Sequence, residues 1–146
     1  MKLGGIEKAE AKKSEATIKS FAQFGKEAKA REAEATIQKE KMSEWEKRES
    51  MFKQVLEIDE EDTLANFGLG SIAVERRNWE VARIHLEKVL KADPQYSVAY
   101  LALGQTYKAL GLLVEARETF TEGIAVAAKK GDLMPANQMQ AELAQF

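Results

Sequence analysis

The sequence contains no cysteine, only two prolines and a single histidine. Without cysteine the chain forms no disulfide, holds no zinc ion through thiolates and has no thiol nucleophile. With two prolines and nine glycines in 146 residues, long helices are favoured over a sheet built from hairpins. These absences predict an all-α protein without a disulfide framework.

Long apolar runs are also missing. No stretch approaches the roughly 18–20 apolar residues of a membrane span. Glu7 and Lys8 interrupt the N-terminal segment before the apolar core of a secretory signal could form. The formal net charge is only −2 and both signs are interspersed, unlike the basic surface of a nucleic-acid-binding domain. We therefore expect a cytoplasmic protein that does not bind nucleic acid and does not span a membrane.

The few residues that suggest chemistry lack the partners that such chemistry requires. His85 lies between Ile84 and Leu86, and no motif supplies it with a nucleophile, so we predict a structural role. The acidic run at residues 59–62 lacks the glycine and the alternating oxygen ligands of a calcium loop. The sequence therefore predicts no catalytic residue, no metal site and no cofactor, and we expect that the protein is not an enzyme.

An internal repeat appears at an offset of 34 residues, when residues 63–96 are set over residues 97–130. The matched pairs are Leu69 with Leu103, Gly70 with Gly104, Ala73 with Tyr107, Ala82 with Ala116, Leu86 with Phe120 and Leu90 with Ile124. Asn66 meets Tyr100, which is the poorest match. Both halves of each unit show helical spacing, so each unit is predicted to be a helical hairpin.

The turns and ends of these hairpins can also be located. Gly111 is predicted to take the left-handed conformation that ends a helix, and Asn78 is the residue expected to do so in the first unit. Pro94 closes the first unit because proline does not continue a helix interior. Ala128 occupies the corresponding place in the second unit, which predicts a longer last helix.

The spacing of the repeated residues carries a family resemblance. These residues are Leu69, Gly70, Ala73, Ala82, Leu86 and Pro94 in the first unit, and Tyr100, Leu103, Gly104, Tyr107, Gly111, Ala116 and Phe120 in the second. They resemble the tetratricopeptide-repeat consensus, at the period of that family. The resemblance implies a short right-handed α-solenoid, of the kind found in small bacterial proteins, with an N-terminal helical extension.

Weaker signals indicate a half-repeat at residues 43–62 and a capping helix at residues 131–146. Trp45, Phe52, Val55 and Leu56 lie one period before Trp79, Leu86, Val89 and Leu90. Ser43 and Glu46 form a capping-box pattern, which predicts that a helix begins at Ser43. In the capping helix, Asp132 is the expected N-cap. Ala136, Met139 and Leu143 are expected to face the core, with Asn137, Gln138 and Glu142 outside.

The N-terminal arm, residues 1–42, carries a net charge of +3, whereas the rest of the chain carries −5. Its substantial apolar cluster consists of Ile18, Phe21 and Phe24, and Gly25 is a candidate break in the helix just after them. Because isolated helices are marginal in water, we expect this cluster to dock on a partner subunit or in the groove of another copy. A separate partner is slightly favoured. A membrane surface is a weaker alternative for this cluster, because Glu10, Glu15 and Glu27 stand among the neighbouring lysines.

The resemblance also implies a binding surface, since the first helix of each tetratricopeptide hairpin lines a concave groove. The matching residues are Leu64, Phe67, Ser71, Val74 and Glu75 in the first unit, and Val98, Leu101, Gln105 and Lys108 in the second. They do not form the lysine and asparagine clamp for acidic chaperone tails. The expectation is an adaptor that binds a helical or extended segment of another protein. The alternative is a structural or assembly subunit held in a larger complex, or in a homo-oligomer, by the arm.

Overall fold

The computed structural model describes the backbone of residues 3–146 and the side chains of residues 14–146. It contains six helices: α1 (Leu3–Ile58), α2 (Thr63–Glu75), α3 (Trp79–Ala92), α4 (Ser97–Ala109), α5 (Leu113–Lys130) and α6 (Leu133–Leu143). No strand occurs in this described part of the chain. The prediction of an all-α helical-repeat fold is confirmed.

The chain divides into two compact units, Met1–Glu44 and Trp45–Phe146, and α1 contributes to both. The expectation that a helix begins at Ser43 is wrong, because α1 is already helical there. Residues 39–42 are strong helix formers, and no glycine or proline lies between Gly25 and Ile58 to end the helix. Gly25 also lies inside α1 rather than ending it. One glycine costs a helix about 1 kcal/mol, which its strong helix-forming neighbours offset.

The helices from α2 to α5 form two hairpins, each joined by a tight turn. Gly111 has the left-handed conformation predicted for it, with φ of 77°. In the first hairpin this conformation falls on Arg77, with φ of 57°, and not on Asn78. Asn78 instead has φ of −90° and is the N-cap residue of α3. The prediction for Asn78 was one residue out, because the repeat period aligns Arg77 with Gly111.

The hairpins close through small residues that let two helices approach. A Cβ atom at Gly70 would lie 2.8 Å from Cγ of Leu86, and one at Gly104 would overlap the ring of Phe120. Leu86 and Phe120 are fully buried at these crossings. Burial of such side chains contributes about 1.5–3 kcal/mol each. The close approach therefore fixes how each hairpin packs.

The helices form two layers in the unit that begins at Trp45. The A-type helices α2, α4 and α6 contact one another in chain order. The B-type helices α3 and α5, both wholly described, do not contact each other. The C-terminal part of α1, residues 45–58, occupies the place of a further B-type helix before α2. Because the A-type layer is drawn together while the B-type layer is spread, the A-type helices line the concave face.

Helix α6 covers the C-terminal end of the core. As predicted, Ala136 and Met139 are buried and Leu143 packs against them in the same cluster. Glu142 was expected to face outward, but it is half-buried and receives hydrogen bonds from α4. It faces inward because α6 contacts α4 as well as α5. None of the described helices is long and apolar enough to cross a membrane.

Candidate functional site

The apolar end of the concave face lies near the N-termini of α2 and α4. Leu64 is 66% exposed and Val98 is 45% exposed. They occupy the same position in successive repeats, as the second residue of α2 and of α4. Single exposed apolar residues are normal on a protein surface, but these two recur at one position of neighbouring helices. They form the accessible apolar part of the groove.

A second apolar layer lies between Leu64 and Val98 on the surface and the core of the repeats. The rings of Phe67 and Tyr96 lie 4.9 Å apart at an angle of 50°. Phe67 packs against the core cluster of the first repeat, and Leu101 packs against that of the second. Burial raises the pKa of Tyr96, and the Asp93 carboxylate adds to this shift, so the phenol stays protonated. This layer offers ring edges and methyl groups rather than charge.

The other end of the groove is polar and is joined to α6. Lys108 Nζ donates hydrogen bonds to Glu142 Oε2 at 3.1 Å and to Gln145 Oε1 at 2.8 Å. Gln105 Nε2 lies 3.4 Å from Glu142 Oε1, at the long end of a hydrogen bond. Glu142 thus neutralises Lys108. The groove therefore presents amide and paired charged groups at this end instead of a free cation.

The remaining predicted groove residues divide between the surface and the core. Ser71 is half-buried on α2, and Val74 packs against the core cluster of the first repeat. Glu75 is exposed, and its Oε2 accepts a hydrogen bond of 2.6 Å from Trp45 Nε1. Arg76 lies 5.9 Å from the Trp45 ring centre. Glu75 thus links α2 to the C-terminal part of α1.

Three residues of this face were missed by sequence reasoning. Tyr96 immediately precedes α4, and Glu142 and Gln145 belong to the C-terminal segment. The repeat pattern did not point to them because none occupies a groove position of the consensus. A signal was nevertheless present, since Glu142 follows Met139 by three residues and therefore lies beside the buried face of α6.

Two further predictions concern residues outside the groove. In the unit Met1–Glu44, the arm cluster is strongly exposed, with Ile18 at 64%, Phe21 at 72% and Phe24 at 64%. His85 is half-buried in α3 and lies 3.0 Å from the side-chain oxygen of Asn66. Among the residues with described side chains, no group of three or more histidine, aspartate or glutamate residues is placed to hold a metal ion.

Comparisons with known proteins agree with this architecture. Two models of the tetratricopeptide repeat match residues 49–97 and 75–133. The TPR repeat-containing protein PA0015 of Pseudomonas aeruginosa is 34% identical over 79 residues, which are 54% of this chain and 75% of that protein.

Two solved structures are also similar. Protein BPP2914 of Bordetella parapertussis is 30% identical, with a TM-score of 0.59, and the match covers 66% of this chain and 84% of that one. A tetratricopeptide repeat domain protein of Salinibacter ruber is 25% identical, with a TM-score of 0.55, and the match covers 57% of this chain and 93% of that one.

Proposed function

This chain belongs to the tetratricopeptide-repeat family, and from that premise we propose that it is an adaptor whose groove holds a helical segment of another protein. Tetratricopeptide repeats are generally non-catalytic modules of protein–protein interaction. The observation that carries the finer proposal is the recurrence of exposed apolar residues, Leu64 and Val98, at one position of adjacent A-type helices. A row of this kind suits the apolar side of an amphipathic helix.

The distribution of polarity along the groove supports an amphipathic ligand. Leu64, Phe67, Val98 and Leu101 lie toward the N-terminal ends of α2 and α4, whereas Gln105 and Lys108 lie toward the C-terminal end of α4. A bound helix would place apolar side chains over the first set and polar side chains over the second. Hydrophobic contact would supply most of the affinity, and the amide groups would select the orientation.

The charge of the groove argues against an acidic tail as the ligand. Lys108 is the cation among the predicted groove residues, and it is already paired with Glu142 and bonded to Gln145. Binding an acidic peptide through Lys108 would require these contacts to break. The proposal therefore excludes the clamp mechanism by which some members of the family hold carboxyl-terminal tails.

A selection experiment tests the proposal and does not require an identified partner. A library of random peptides is displayed on phage and selected against the complete chain. We expect the selected peptides to carry apolar residues at helical spacing. Their affinity is then measured against the wild type and against the double variant Leu64→Asp/Val98→Asp, which introduces two charges where apolar contact is proposed.

The matched control is Ile84→Asp. Ile84 is 50% exposed, comparable to Val98, but lies on the B-type helix α3. The groove variant should weaken peptide binding by roughly a hundredfold, because two buried charges each cost more than about 1 kcal/mol. The Ile84 variant should bind normally. Equal binding by the groove variant and the wild type would contradict the proposal.

The alternative proposal, a subunit held in a larger assembly, rests on the arm. Ile18, Phe21 and Phe24 are exposed although each is large and apolar. Burial of such side chains contributes about 1.5–3 kcal/mol apiece, so a surface that received all three would bind the arm appreciably. This alternative would be favoured if removal of residues 1–41, and not the groove variant, abolished recovery of a defined complex from native lysate.

A further inference from the structure

The repeat array lacks one helix at its N-terminal end. Residues 45–58 of α1 form a B-type helix, but no A-type helix of the same unit precedes it in Trp45–Phe146. Val55 is 37% exposed, whereas Val89, its counterpart one period later, is fully buried. Arg48 is also exposed, whereas its counterpart Ala82 is fully buried. The face that an A-type helix covers in the complete repeats is open here.

This open face is also more apolar than an ordinary surface. Met51 is 54% exposed, and Val55 follows it by four residues. Such spacing places them along one side of a helix. We call these residues, with Arg48 and Phe52, the open B-type face.

The arm carries the residue pattern of the missing helix. In the first complete repeat the A-type pattern is Asn66, the pair Leu69-Gly70, and Ala73. In the second it is Tyr100, the pair Leu103-Gly104, and Tyr107. The arm repeats this spacing with Phe21, the pair Phe24-Gly25, and Ala28. The period of 34 would place such a pattern at residues 32–39, and it lies at 21–28 instead. We call residues 21–28 the A-type motif of the arm.

The glycine of this motif has no partner in one copy of the chain. A Cβ atom built at Gly25 meets nothing within 4 Å. At Gly70 and Gly104, the equivalent positions, a Cβ atom would overlap Leu86 or Phe120 of the paired B-type helix. Glycine weakens a helix interior by roughly 0.5–1 kcal/mol relative to alanine, so its presence in α1 calls for a reason. A close helix crossing is such a reason.

The connection between the motif and the open face does not contain a turn. Residues 29–44 are helical throughout and include neither glycine nor proline. In each complete repeat the two helices are joined by a turn with a left-handed residue, Arg77 or Gly111. Nothing equivalent is present here, so the hairpin of the complete repeats is not available from these residues in the same copy.

We propose that the A-type motif of one copy docks on the open B-type face of a second copy, and completes its first repeat. The helices run antiparallel, as in the hairpins of the complete repeats. There, Gly70 meets Leu86 and Asn66 meets His85. The same relationships set Gly25 of one copy against Phe52 of the other, and Phe21 against Met51.

Charge supports this register and this occupant. Beyond the Gly25–Phe52 contact, the antiparallel alignment places Glu27 of one copy beside Arg48 of the other, and Arg31 beside Glu44. Both pairs have opposite charge, although surface pairs of this kind contribute little individually and mainly select the alignment. Exchange of an identical element between copies is a common route to self-association.

The test is sedimentation equilibrium of the complete chain over a wide range of concentration. The wild type should form a species larger than the monomer. Gly25→Leu should weaken self-association by at least roughly tenfold, because leucine overpacks a close crossing. Because Gly25 has open space around it in one copy, the circular dichroism of the Gly25→Leu variant should show no loss of helix. Non-specific hydrophobic association would instead be strengthened by the added leucine.

The matched control is Ala30→Leu, at an exposed position outside the A-type motif, which should leave self-association unchanged. A charge exchange tests the register: Arg31→Glu should weaken association and the addition of Glu44→Arg should restore it. A wild type that stays monomeric at every concentration, or a Gly25→Leu variant that associates as strongly as the wild type, would overturn the proposal. Peptide binding in the groove is measured separately, so either proposal can fail without the other.

Discussion

Nδ1 of His85 lies 3.0 Å from the side-chain oxygen of Asn66, which is 1% exposed. The amide nitrogen of Asn66 donates to the backbone oxygens of Glu60 and Asp62, both at 3.0 Å. The amide oxygen is therefore the atom that faces the imidazole, and His85 donates through Nδ1. One polar side chain thus joins the loop before α2 to helix α3, at a position where Tyr100 stands in the next repeat.

Asn66→Ala should lower the free energy of unfolding by about 1–3 kcal/mol, because it removes three partly buried side-chain hydrogen bonds. Chemical denaturation of the complete chain measures the change. Asn137→Ala, at an exposed position of α6, is the control and should change stability by no more than about 0.5 kcal/mol. Equal stabilities of the two variants would show that the network contributes nothing.

The pH dependence of stability should report on His85. Burial lowers its pKa from 6.5, and the positive charges of Lys88 and Lys53 lower it further. The unfolded chain therefore binds the proton more readily than the folded chain. This contribution to stability is complete above pH 6.5 and is lost as the pH falls from there toward the lowered pKa. His85→Asn should remove that part of the slope, and an unchanged slope would disprove the assignment.

Replacement of Arg77 by glycine should increase the stability of the fold. The φ of 57° at Arg77 costs a non-glycine residue roughly 1–2 kcal/mol, and its repeat counterpart Gly111 avoids the cost. Arg77→Gly should therefore raise the melting temperature, by an amount corresponding to about 0.5–1 kcal/mol after the loss of chain entropy. Gly111→Ala is the reciprocal variant and should lower it. A fall in melting temperature on Arg77→Gly would contradict this interpretation of the turn.

Ala82 and Ala116 are fully buried where helices cross. Replacement of either by leucine should destabilise the fold by about 1–3 kcal/mol through overpacking. Ala109→Leu adds the same side chain at an exposed position near the end of α4 and should be nearly neutral. Thermal unfolding followed by circular dichroism separates the three. Unchanged melting temperatures for both core variants would mean that the repeat register is wrong.

The period of 34 was sufficient to locate the hairpins, because the core positions recur as leucine, glycine, alanine or phenylalanine with few exceptions. The repeat period did not predict that α1 is already helical before Ser43. Helix propensity continues through Ser43, and a capping-box pattern has no effect where the preceding residues already favour helix. The turn at Arg77 was misassigned because asparagine is the better left-handed residue by propensity, whereas the hairpin geometry fixes the position.

The groove was predicted by position in the repeat, but its chemistry depends on contacts that the repeat does not encode. The sequence alone suggests that Lys108 is an unpaired cation, but in the structure Glu142 of α6 pairs with it. Phe67 and Leu101 would be free apolar contacts, yet both pack against the core. The accessible apolar contacts are therefore Leu64 and Val98, and substitutions of the other two would test stability along with binding.

The proposal that the groove receives an amphipathic helix is tested most directly by methyl NMR spectroscopy of the complete chain during titration with a peptide from the selection. Methyl resonances of Leu64, Val98 and Leu101 should shift progressively and saturate together. Methyl resonances of Ile84 on α3 and Val114 on α5, which are exposed outside the groove, should remain in place. Shifts confined to Ile84 and Val114, with Leu64 and Val98 unmoved at saturation, would contradict the account.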